Sequence, residues 1–98
     1  MTILCWNCRG IGQPRTVQDL VCLVGVHRPK LLFLCETKQR KEKVESLKWR
    51  LGLKNVIVHS EQGKGGGVAL FWDESVIVDL VKLGSRFINV IVSDLPKE

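Results

Sequence analysis

The chain has 98 residues, of which 45% are hydrophobic and 26% charged, with a net charge of +5. That length makes one domain or a piece of one, with a small core. Its longest apolar stretches, 20–26 and 31–35, fall far short of the ~18 residues of a membrane span, so no membrane partner is expected. The positive balance suits a polyanion such as DNA.

The N-terminus has no basic leader and meets a polar residue, Asn7, too early for a signal peptide. A nuclear or cytoplasmic location is therefore expected. Residues 3–7 read as a first strand, with Ile3, Cys5 and Asn7 on one face and Leu4 and Trp6 on the other. Both faces are apolar, which predicts a strand covered on both sides. Cys5 and Cys8 have a CxxC spacing, but neither His27 nor His59 supplies the second pair that zinc needs. A redox pair usually sits just before a helix, whereas Cys5 lies within the strand. All four cysteines are expected to be reduced and to pack as small hydrophobes.

Gly10 and Gly12 break the chain before a helix. Thr16 and Asp19 have capping-box spacing, and Val17, Leu20, Val21 and Val24 form one helical stripe. His27-Arg28-Pro29 ends that helix, with His27 in the last turn, where positive charge suits the dipole.

Residues 31–36 read as a second strand. Strand, crossover helix and strand make a right-handed unit with parallel strands. If the strands are neighbours, Asn7 and Glu36 reach one edge of the sheet, where α/β proteins build sites. An amide oxygen and a carboxylate there could hold Mg²⁺. The plainer alternative is that Asn7 caps a turn and Glu36 is a solvated strand end.

Residues 38–50 are the most charged stretch, and Val44, Leu47 and Leu51 keep helical spacing up to Gly52. Lys38, Arg40, Lys41 and Lys43, with Arg9 in the first loop, are candidates for phosphate contact. An ordinary solvated helix face stands as the alternative. Residues 55–60 read as a third strand. The glycine-rich turn at 61–67 lacks both the phosphate-loop and the dinucleotide spacing. Residues 68–72, 76–83 and 87–92 read as three more strands, joined by short turns into an antiparallel meander. Phe71 and Trp72 are assigned to core and cover.

Three stretches also carry a resemblance. Met1-Thr-Ile-Leu-Cys-Trp-Asn-Cys-Arg-Gly-Ile-Gly12, Phe33-Leu-Cys-Glu-Thr-Lys38 and Gly65-Gly-Gly-Val-Ala-Leu-Phe-Trp72 resemble the start of the endonuclease/exonuclease/phosphatase family. More narrowly, they resemble the endonuclease domain of plant non-LTR retrotransposons and of host genes derived from them. The Cys-Trp-Asn-Cys-Arg-Gly opening is the most specific piece. The resemblance runs along essentially all of the chain but covers only the first part of the family domain.

The resemblance implies Mg²⁺-dependent phosphodiester cleavage of DNA. Asn7 matches the family's N-terminal asparagine, a catalytic residue that orients water or phosphate. Glu36 matches its metal-binding glutamate, and Gly65, Gly66 and Gly67 match backbone close under the site. The other family residues have no counterpart. The chain has no tyrosine, Asp94 lacks an Asn two places on, and no His follows His59.

The expectation is α/β, with a mixed sheet of about six strands and two helices on one face. That is half of a four-layer αββα sandwich, so residues 1–98 make a partial domain. As a fragment it is expected to be inactive alone and to hold Mg²⁺ weakly or not at all. The missing half leaves Val76, Val78, Leu80, Ile88, Val90 and Val92, or their alternates, partly exposed, which predicts self-association or a protein partner. A second expectation is a non-catalytic module that binds protein or nucleic acid.

Overall fold

A computed structural model describes residues 2–60, 67–84 and 86–94. Among these the chain forms β1 (Ile3–Asn7), α1 (Pro14–His27), β2 (Leu31–Cys35), α2 (Lys41–Leu51), β3 (Asn55–His59), β4 (Val68–Trp72), β5 (Val76–Leu83) and β6 (Ile88–Asp94). The class is α/β, as the residue pattern predicts. The strands divide into a four-stranded sheet, order β1-β2-β4-β3, and a separate β5-β6 pair.

β1 and β2 run parallel, with Ile3 beside Leu31 and Asn7 beside Cys35. β4 is antiparallel to both β2 and β3. This register puts Leu4, Trp6, Leu32, Leu34, Val56, Val58, Ala69 and Phe71 on one face. Both helices cover that face. Val17, Leu20 and Val24 of α1 and Val44, Leu47 and Leu51 of α2 join it in one buried cluster. The Cα extents are 46 × 29 × 19 Å, and the shortest dimension suits two layers spaced about 10 Å apart.

Four details depart from the sequence expectation. First, β1 is not covered on both sides. It is an edge strand, and Ile3 on its outer face is 60% exposed. Second, α1 begins at Pro14 behind an extended Gln13, with no side-chain cap. Proline has no N–H to satisfy and a φ already suited to a helix, so Thr16 and Asp19 fall inside the helix and make no capping box. Third, β2 ends at Cys35, one residue short of the expected 31–36, and the chain that follows it, before α2 starts at Lys41, is tied to the first loop. Gly10 N–H donates to the Glu36 carbonyl at 2.8 Å and Ile11 N–H to that of Thr37 at 3.0 Å. Fourth, there is no meander through β4, since both edges of β4 are taken by β2 and β3. β5 pairs with β6 instead.

The helix ends follow their sequence signals. Gly52 stops α2 at φ 71, and its N–H donates to the Lys48 carbonyl. β5 carries a bulge between Leu80 and Lys82, which breaks the inside-outside alternation. Leu80 and Val81 are accordingly both exposed, together with Ile77, Phe87 and Ile91. Val76 is buried instead, at 4% exposure. The apolar exposure expected on these strands is therefore present, on a partly different set of residues.

Candidate functional site

The rim at the carboxyl ends of β1 and β2 is built by backbone pairing that outlasts the strands. Cys8 N–H donates to the Cys35 carbonyl at 3.0 Å, and the bonds from Gly10 and Ile11 follow. From the other side, Thr37 N–H donates to the Gly67 carbonyl at 3.3 Å. Asn7 and Glu36 therefore arrive at one rim, with Asn7 in register with the residue just before Glu36. Gly67 belongs to the expected glycine run under the site; Gly65 and Gly66 lie outside the described residues.

This rim is conformationally strained. Arg9, Glu36 and Lys38 have φ of 50, 52 and 53°, in the left-handed region. Each such non-glycine residue costs about 1–3 kcal/mol, and such costs cluster at functional sites. The left-handed turn at Glu36 also ends β2 one residue before the sequence expectation. Asn7 Oδ1 accepts the Arg9 N–H at 3.0 Å, so the turn-capping role foreseen for Asn7 is real. A carboxamide oxygen has a second lone pair, which that bond leaves available.

Thr37 went unnoticed in the sequence. It is fully buried, and its Oγ1 has no hydrogen-bond partner among the described residues. A buried hydroxyl left unpaired costs about 1–3 kcal/mol. No periodicity marks it, because it lies just beyond a strand end. Its neighbour Gly67 has φ 119, and a Cβ there would collide with Thr37 Oγ1.

The donor set suits a hard cation in kind, with a carboxylate from Glu36, an amide oxygen from Asn7 and the orphaned Thr37 hydroxyl between Glu36 and Lys38. It is thin in number. Among the described residues no group of three His, Cys, Asp or Glu converges to hold a metal ion.

Arg9, Lys38, Arg40, Lys41 and Lys43 are all exposed. Lys38 lies beside Gly10, its Cδ 3.6 Å from where a Cβ there would stand, so Arg9 and Lys38 flank the rim. Arg40 and Lys41 open α2, whose amino end adds partial positive charge. The ion pair found among the described residues, Lys54–Glu74 at 2.9 Å, lies elsewhere and leaves these five cations for other anions.

The cysteines are free thiols. Burial, with Cys35 and Glu36 adding to it, pushes the Cys8 thiol from 9.0 to about 12. Cys8 is protonated at neutral pH and is no nucleophile. Cys5 and Cys22 are exposed, which departs from the expectation that all four pack inside. At pH 8 iodoacetamide should modify Cys5 and Cys22 in the folded chain and spare Cys8, as read by peptide mass mapping. Because folding raises this thiol's pKa, its contribution to stability is complete below pH 9 and is lost between pH 9 and about 12.

Among known proteins, no protein-family model matches the chain and no curated protein sequence matches it.

Proposed function

We propose that these residues supply the first part of a Mg²⁺-dependent, retroelement-type endonuclease domain acting on DNA, and that they do not cleave DNA by themselves. One observation carries the reading. The parallel β1–β2 pair brings Asn7 and Glu36 to a single rim, where the backbone is held in an unfavourable conformation.

In this reading Glu36 offers the charged ligand and Asn7 orients phosphate or water through its carboxamide. Arg9 and Lys38 flank the rim and neutralise phosphates, with Arg40, Lys41 and Lys43 extending the same charge along α2. A bound Mg²⁺ would stabilise negative charge on the phosphate. The chain has no tyrosine and no His after His59, so the later groups that the resemblance calls for, among them the base, have no counterpart in these residues. General acid–base catalysis alone contributes about 10²–10⁴-fold, so its loss leaves little activity.

Two measurements test this. Supercoiled plasmid with Mg²⁺ or Mn²⁺ should remain un-nicked by both wild type and Glu36→Ala; nicking by wild type that the substitution removes would overturn the inactivity. Mn²⁺ added to the labelled protein should broaden amide signals around Asn7, Glu36 and Thr37, and Glu36→Ala should abolish this. Broadening centred elsewhere would end the metal assignment.

The exposed side chains of β5 and β6 favour a second reading, a non-catalytic binding module. Ile77, Leu80, Val81, Phe87 and Ile91 place apolar surface on a two-stranded ribbon, and such ribbons are marginal alone. Light scattering should show mass rising with concentration, and Ile91→Lys should suppress the rise. A monodisperse monomer at high concentration would count against this reading.

A further inference from the structure

A hollow of about 490 Å³ lies at the opposite pole of the sheet, where α1 and α2 end and β2 begins. Its floor is apolar, formed by Val21 and Val24 of α1 with Leu51 and Leu53. Gly25 of α1 lines it, and a Cβ there would meet no atom within 4 Å. Gly52, on the opposite wall, is equally open. Arg28, Lys30 and Arg50 also line it, against one carboxylate, Asp73.

The charges do not cancel. Asp73 is already occupied, because its Oδ2 accepts the Ser75 N–H at 3.1 Å. Lys30 acts on that same carboxylate. The carboxyl ends of α1 and α2 add partial negative charge, roughly half a unit each. Three cations against one carboxylate and two helix ends leave an excess of about one positive charge. Neither Arg28 nor Arg50 has a carboxylate partner among the described residues. Guanidinium groups recognise planar anions through paired N–H donors.

We propose that this hollow is a binding site for an organic monoanion, with an apolar body of one or two rings on the floor and a carboxylate, sulfonate or phosphate held by Arg28 and Arg50. Its volume falls within the roughly 300–1,000 Å³ of small-molecule pockets. The site is separate from the Asn7–Glu36 rim and stands whether or not the endonuclease reading does.

The test compares 2-naphthoate with neutral 2-naphthylmethanol by amide chemical shifts of the whole chain. Naphthoate should give saturable shifts at Gly25, Gly52 and Leu53, with the neutral analogue binding about tenfold or more weakly. The double substitution Arg28→Gln, Arg50→Gln should reduce naphthoate to the affinity of the alcohol. Gly25→Leu should abolish both by filling the hollow, and leucine suits a helix better than glycine, so an unchanged spectrum elsewhere certifies the fold. Equal affinity for the two probes would overturn the proposal. So would shifts centred on β5 and β6, no saturable shift at millimolar probe, or undiminished binding to the Gly25→Leu protein.

Discussion

Phe71→Ala should lower the free energy of unfolding by about 3–5 kcal/mol, read from the shift in a urea melt. Phe71 is completely buried. It stands on β4 between Leu32 of β2 and Val56 of β3, on the face that both helices cover. A small residue there leaves a void between the sheet and the helices, and neighbours held in a sheet cannot collapse into it. A domain of this length is stable by about 5–15 kcal/mol, so this one change removes a large share. Ile91→Ala, at a position 59% exposed, should cost less than about 0.5 kcal/mol. Equal effects at the two sites would mean that the core is not where the register places it.

Gly67→Ala should be the second severe change. The backbone there has φ 119, far outside what alanine tolerates, and this alone costs about 1–3 kcal/mol. The added Cβ also meets Thr37 Oγ1 and stands 3.6 Å from the His59 carbonyl oxygen. Adding Thr37→Ala should recover the steric part and leave the backbone part. Any Mn²⁺ broadening around Glu36 should fade in Gly67→Ala, because the Thr37 N–H to Gly67 carbonyl bond helps to hold that rim. A Gly67→Ala protein as stable as wild type would contradict the geometry described for these two residues.

Much of this was legible in the residues. The stripe of Val17, Leu20 and Val24 marked α1, and that of Val44, Leu47 and Leu51 marked α2, because a helix buries every third or fourth side chain. Residues 31–36 read as a strand, and Leu31–Cys35 forms one; the structure gives it neighbours on both sides, β1 and β4. The parallel direction of β1 and β2 followed from the helical crossover between them, and the structure makes them neighbours. With it came the meeting of Asn7 and Glu36 at one rim.

Other features depended on contacts that no local pattern carries. Whether β5 joins β4 turns on which strands already occupy the two edges of β4, and Asn55–His59 took one of them from nine residues upstream. The left-handed backbone at Glu36 and the burial of Thr37 arise where the first loop and Gly67 both pair with 35–37, a three-segment junction. The hollow beneath Arg28 and Arg50 exists because two helices end side by side, each contributing a glycine. Local side-chain chemistry thus determined which segments became helices and strands and which polar groups ended them. Long-range packing decided which edges were free, which hydroxyl was stranded and where a cavity remained, since these depend on residues that meet only after the chain has closed on itself.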